Sequence, residues 1–263
     1  MTPPSRLIGN LAYPDVSRYL QETSILCLPL GAIEQHGGHL PLNTDVVIAE
    51  GLTRRIIERC GEEFDLWQLP TIPLGLSREH DWASGTLSLS INVLSILLQD
   101  LAREIVRALP ARNLAIINAH GGNRGLLENL LYELRGDFAL NACVIHPFDL
   151  AKTEKGLAFD VHGGKSETSV MLVLAPELVR RELIAAAKSS LDQKTIETVI
   201  FDRGVSWPWR TNDPRLACGG IIGGAQDASP EFGNVIIESV VKEAGAVFQR
   251  LLENQQLMLG DER

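Results

Sequence analysis

Apolar residues fall in two rhythms along this chain. Short unbroken runs, SILCLPL (24–30), NLAIINAH (113–120) and NACVIHPF (141–148), read as strands buried on both faces. A fourth run, LWQLPTIPLG (66–75), reads as a strand broken by its prolines. Between these runs the apolar positions switch to helical spacing. DVVIAEGLTRRIIERC (45–60) repeats Val46, Val47, Leu52, Ile56 and Ile57 behind Asn43 and Thr44, both N-cap residue types. NVLSILLQDLAREIVRAL (92–109) puts Leu94, Leu97, Leu98, Leu101, Ile105 and Leu109 on one face. GGNRGLLENLLYELRG (121–136) reads as a turn and a helix. ETSVMLVLAPELVRRELIAAA (167–187) is helical with a break near Pro176, and residues 229–257 form a long closing helix.

Strands that alternate with helices predict crossover units and hence a three-layer α/β/α sandwich with a mainly parallel central sheet. The chain has no fixed-period repeat and no low-complexity linker, so residues 1–263 are expected to form one domain. In such folds ligands bind beyond the C-terminal strand ends. Three polar clusters fall there. Glu34 and His36, in LGAIEQHGGHLPLNTD (30–45), follow the first run; His120 follows the second; DVHGGKSETS (160–169), with Asp160, His162 and Glu167, lies after the third.

These are metal-ligand residue types. Imidazole and carboxylate suit zinc, manganese and iron alike. Glu34 and His36 are two apart, so extended backbone turns both to one side. Asp45 returns at the start of the next helix, where two carboxylate oxygens can bridge two ions. Paired ions about 3.5–4 Å apart can share and activate a water. Gly37, Gly38, Gly121 and Gly122 let backbone approach a ligand closely. Each residue alone has an ordinary reading: a turn histidine, a surface Glu34, an Asp45 at a helix N-terminus. Their conjunction, in a chain with six histidines, favours a metal centre. His39 reads as a supporting residue, and His146, inside a strand run, as a core histidine.

Composition narrows the classes. A net charge of −9 argues against nucleic acid as a partner. No apolar run reaches the length of a membrane span, and MTPPSRLIGN has no apolar leader core. Cys27, Cys60, Cys143 and Cys218 lie far apart in sequence, with no CxxC pair, which suits a reducing, cytoplasmic setting.

Five blocks carry a family resemblance: GAIEQHGGHLPLNTD (31–45), SREHDWASGTLSL (77–89), NAHGGN (118–123), HGGKSETS (162–169) and GGIIGGAQDASPEFGN (219–234). The sequence resembles the creatininase family of creatinine amidohydrolases. The resemblance implies a creatininase-like fold, two divalent ions (Zn, Mn or Fe), hydrolysis of a C–N bond in a small-molecule substrate, and a homo-oligomer, commonly a hexamer. By position, Glu34, Asp45 and His120 would hold one ion, and His36 with bridging Asp45 the second, while His162 would face the substrate. Creatininases carry a carboxylate two residues beyond the histidine matching His120; here that position is Gly122, and Glu167 is the candidate to complete the site as ligand or proton carrier. Creatininases also place a Trp-Asp pair before the histidine matching His162, where this chain has Ala158, Phe159, Asp160 and Val161. The HGGN form instead resembles relatives that act on formamides of pyrimidine nucleotide precursors or trim a peptide.

The resulting expectation is a dinuclear amidohydrolase that does not prefer creatinine. Asn123 stands as a substrate-binding candidate with a plain N-cap role as its rival. Asp160 orients His162 if the loop bends. Arg78, Arg124 and Lys165 are candidate anion grips, with plain solvent-facing charges as the rival reading, and Trp207 and Trp209 are candidates for an interface, an active-site cover or a buried anchor. From another class, a non-catalytic protein with a structural metal site remains open.

Overall fold

The structure is a computed structural model that describes residues 3, 5–153, 160–185, 193–202, 205–216 and 219–261. Its centre is a parallel sheet of β1 (Ile25–Leu30), β2 (Leu66–Gln68), β3 (Asn113–Asn118) and β4 (Asn141–Ile145), in the order β2-β1-β3-β4. Every residue of β1 and β3 is buried, as their unbroken apolar runs require.

In chain order the helices are α1 (Tyr13–Tyr19), α2 (Thr44–Cys60), α3 (Ile91–Ala108), α4 (Arg124–Phe138), α5 (Pro147–Leu150), α6 (Lys165–Leu174), α7 (Arg181–Ile184), α8 (Gln193–Val199) and α9 (Pro230–Asp261). Strand side chains alternate between the two faces, and the core divides accordingly. Ile25, Cys27, Ala115 and Ile117 pack with α2, α6 and α9; Leu26, Leu28, Leu114 and Ile116 pack with α3 and α4. The result is the expected three-layer α/β/α sandwich. A small antiparallel hairpin, β5 (Phe201–Asp202) with β6 (Val205–Ser206), stands outside the sheet. No described helix is long and apolar enough to cross a membrane.

Several local expectations are corrected. Strand β2 stops at Gln68, before Pro70, and Ile72 rejoins the sheet only as a parallel bridge to Leu30. Strand β4 stops at Ile145, so His146 is not a core strand residue. It is half-buried at the entry to α5, where Pro147 begins the turn. In α3 the inward stripe is Leu94, Leu98, Ala102 and Ile105, while Leu97 is 42% exposed. Asn43 takes the N-cap position of α2 without a side-chain cap bond, and the Thr44 hydroxyl donates back to the Pro41 carbonyl at 2.7 Å. The break near Pro176 is real: α6 ends at Leu174 and α7 begins at Arg181. Residues 186–187 of the expected helix, Ala158, Phe159 and Cys218 lie outside the described residues.

Candidate metal centre

Strands β1 and β3 end side by side, with Leu30 paired to Asn118. The segments that follow therefore leave the sheet together, one carrying Glu34 and His36, the other His120. Gly37 turns the first segment with φ +71°, and a Cβ there would meet the Ile221 side chain at 2.5 Å. Asp45 sits in the first turn of α2 and Glu167 in the first turn of α6. His162 is brought in by an antiparallel bridge to Ile222.

Asp45 stands between two histidines. Its Oδ1 lies 3.1 Å from His36 Nε2 and its Oδ2 lies 3.2 Å from His120 Nδ1. Glu34 Oε1 is 3.2 Å from the same His120 nitrogen, and Glu167 Oε2 is 3.8 Å from His36 Nε2. Two groups that could each hold an ion result, Glu34–Asp45–His120 and His36–Asp45–Glu167, each with its donor atoms within 4.8 Å of one another.

Tautomers can be read from the outer bonds. His36 donates Nδ1–H to the Glu34 carbonyl oxygen at 3.2 Å, and His120 donates Nε2–H to the Leu76 carbonyl oxygen at 2.5 Å. The inward nitrogens then carry lone pairs that face carboxylate oxygens. Such an arrangement needs positive charge between the acceptors, as protons or as a metal ion. Glu34 Oε2 and Asp45 Oδ2 are also buried without a hydrogen-bond partner among the described residues. This donor set fits hard or borderline divalent ions.

Electrostatics point the same way. Burial opposes charge on His36, but Asp45, with Glu167 and Glu34, raises its pKa to about 10. Burial opposes charge on His120 too, and Glu34 and Asp45 hold it well above its ordinary value. For Asp45, burial is outweighed by His36 and His120, which keep it ionised. Burial, then the charge of Asp45, pushes Glu167 up to about 8 against the pull of His36. Protons thus persist on His36, His120 and Glu167 at neutral pH and must leave when an ion binds. Raising the pH removes that competition, so metal affinity is expected to rise by roughly tenfold or more per pH unit between about pH 6 and 8. Calorimetry in buffers of different ionisation heats would check this; pH-independent affinity without proton release would count against it.

The remaining candidates separate. His162 gives Nε2–H to the Gln35 carbonyl oxygen at 2.6 Å and turns Nδ1 to within 3.5 Å of Glu34 Oε1. Its ring lies 4.3 Å from that of His36. Burial, then the neighbouring His80 and His36, hold it well below its ordinary pKa. Asp160 does not orient His162. Its carboxylate accepts from the Lys165 and Ser166 amides at 2.7 and 2.5 Å and so caps α6. Asn123 is not at the crevice surface. It is fully buried, accepts from Leu76 N–H at 2.9 Å and donates to Asn118 Oδ1 at 3.1 Å, tying the loop before α3 to β3. His39 is a supporting residue, its Nε2 bonded to the Thr168 hydroxyl at 2.8 Å. Lys165 lies over the Phe232 ring at 4.2 Å, Arg124 pairs with Asp149 at 2.5 Å, and Arg78 stands 3.6 Å from Asp81.

Gly122 has a local cause. A Cβ there would stand 2.0 Å from the Leu76 oxygen that receives His120, and 2.7 Å from Glu79 Oε1. The space that a side chain at 122 would take is already occupied. Glu79 and His80, which no expectation from the sequence named as site residues, form another close ligand-type group with Glu34. The block SREHDWASGTLSL held that signal, as two ligand-type residues side by side. The centre opens into a crevice of about 1010 Å³ whose walls include Phe148, Trp207, Trp209, Arg78, Arg124 and Arg210.

The sequence model of the creatininase family, described as creatinine amidohydrolase, matches residues 9–248. A mycofactocin precursor peptide peptidase of Mycobacterium tuberculosis is 35% identical over 186 residues, 67% of this chain and 68% of the relative. A creatinine amidohydrolase of Pseudomonas putida is 30% identical over 260 residues, 90% of this chain and 94% of the relative. Among solved structures, a creatininase described as its Mn form superposes with TM-score 0.76 at 27% identity, covering 94% of this chain and 98% of the other. A mutant creatininase described as Zn-Zn type matches with the same TM-score, identity and coverage. Matched by the family model over residues 9–248, this chain belongs to the creatininase family of amidohydrolases.

Proposed function

We propose that this chain hydrolyses a C–N bond with two divalent ions, one held by Glu34, Asp45 and His120 and the other by His36, Asp45 and Glu167. The observation that carries this reading is Asp45, whose two oxygens reach His36 and His120 at 3.1 and 3.2 Å. These residues would hold the ions, which when bound would supply Lewis-acid polarisation of a carbonyl and activation of water near neutral pH. The protein's own work is to position and to move protons. Neutral His162, with a lone pair at Nδ1, takes a proton from the attacking water and returns it to the leaving nitrogen. The Gln35 carbonyl oxygen holds that ring in the required tautomer. A purely structural site would be closed by protein ligands; the opening of this centre into the crevice supports catalysis.

The substrate is larger than creatinine. A crevice of about 1010 Å³ lies at the upper end of pockets that hold drug-sized ligands, about 300–1,000 Å³. Its aromatic walls, Phe148, Trp207 and Trp209, suit a peptide-like amide, and one relative is named a peptide peptidase. Metal-reconstituted protein should be assayed against creatinine, formamidopyrimidines and short peptides with aromatic residues. Creatinine turnover is expected to stay below roughly 10 per second, the middle of the usual enzyme range, with a peptide the better substrate. Creatinine as the best substrate would refute the size argument.

A further inference from the structure

The histidines around Glu34 do not all present the same group to it. His36, His120 and His162 each give a ring N–H to a backbone oxygen, so the inward nitrogen of each is the one that accepts once its site is deprotonated. His80 is wired in reverse. Its Nδ1 lies 3.1 Å from Gln35 Nε2 and 2.9 Å from Thr211 Oγ1. The Gln35 side chain has a determined orientation: its Oε1 accepts from Gly37 N–H at 3.0 Å, and its amide donates to the Gly220 carbonyl oxygen at 2.9 Å. The second amide hydrogen has His80 Nδ1 and His162 Nε2 both at 3.1 Å, but His162 Nε2 already gives its hydrogen to the Gln35 carbonyl oxygen at 2.6 Å, which leaves His80 Nδ1 as the acceptor. Thr211 accepts from Trp82 Nε1–H at 2.9 Å, and its own hydrogen has two acceptors in reach, His80 Nδ1 at 2.9 Å and the Glu79 carbonyl oxygen at 3.3 Å, of which His80 is the nearer. A neutral imidazole that accepts at Nδ1 carries its proton on Nε2.

That Nε2–H points into the centre, 3.6 Å from Glu34 Oε1. The separation exceeds hydrogen-bond reach, so the donor is not spent on Glu34. The ring itself is fixed. It is 2% exposed, stacks on His162 at 3.9 Å and meets the edge of Trp209 at 6.2 Å. It also lines the crevice.

We propose that His80 is a catalytic residue that donates Nε2–H to the oxygen of the scissile carbonyl as negative charge develops there, with Gln35 and Thr211 as positioning residues that hold its tautomer. The inference rests on the centre being a hydrolase site. A preorganised donor of this kind is worth roughly 10²–10³ in kcat, because its orientation costs nothing at the moment of reaction.

Zinc-reconstituted protein labelled with 15N-histidine reads the tautomer directly. Long-range 1H–15N correlation should find His80 protonated at Nε2 and bare at Nδ1; protonation at Nδ1 overturns the proposal. Gln35→Met should shift part of His80 to the Nδ1–H form, and an unchanged tautomer would remove Gln35 as a positioning residue. A second arm uses acetohydroxamate as the probe oxygen. His80→Phe keeps a ring against His162 but has no donor. It should retain wild-type zinc content and bind acetohydroxamate roughly tenfold more weakly or worse, with partial recovery in His80→Gln. Loss of zinc in His80→Phe would make His80 a ligand, and unchanged acetohydroxamate affinity would deny it the donor role; either overturns the proposal. Wild-type zinc content bears separately on the paired-ion reading, since the tautomer and the comparison between variants are read at whatever stoichiometry is found.

Discussion

Asp45→Ala is expected to strip the centre of both ions and to lower activity by roughly a thousandfold or more, the scale of several kcal/mol of lost charge stabilisation. The cause is geometric. One Asp45 oxygen faces His36 and the other faces His120, so a single truncation opens both ligand sets. His36→Ala should behave differently and lose mainly one ion, because Glu34, Asp45 and His120 remain together. Metal analysis of the purified variants against wild type checks both statements. Full occupancy in Asp45→Ala would end the bridging assignment.

Glu167→Gln is expected to fold normally, melt within a few degrees of wild type, and lose about two orders of magnitude in activity or more. Two roles compete for Glu167. As a ligand or proton carrier it acts on the centre through Oε2, 3.8 Å from His36 Nε2. As a helix-end charge on α6 it would contribute only about 0.3–1 kcal/mol of stability. The helix start does not need it, because Asp160 already accepts from the Lys165 and Ser166 amides. Glutamine keeps an oxygen for the Gly163 N–H that Glu167 now receives at 2.6 Å, so local backbone structure should survive. What it loses is charge and the capacity to take a proton. Activity assays paired with metal content and melting curves separate the roles. Near-normal turnover with metals present would return Glu167 to the structural side.

The sheet was legible in the sequence because parallel strands covered on both faces must be apolar throughout, and β1 and β3 are. The positions of Glu34, His36 and His120 were legible for a related reason: each follows directly from such a strand end. The run through His146 misled because Pro147 and Phe148 continue its apolar pattern although the strand has ended. Asn123 misled because an N-cap, a substrate grip and a buried tie use the same amide chemistry; its bonds to Leu76 and Asn118 depend on a loop far away in sequence. His80 was passed over for a similar cause. It sits on the loop between β2 and α3, and Thr211, 131 positions later, helps orient its ring. No local periodicity records such a contact.

The central claim is that two ions share Asp45. Crystals of protein reconstituted with zinc, measured for anomalous scattering at the zinc edge, test it most directly. Two peaks per chain are expected, about 3.5–4 Å apart, one beside Glu34 and His120, the other beside His36 and Glu167, with Asp45 between them. A single peak, or a pair of peaks that Asp45 does not bridge, would contradict the account.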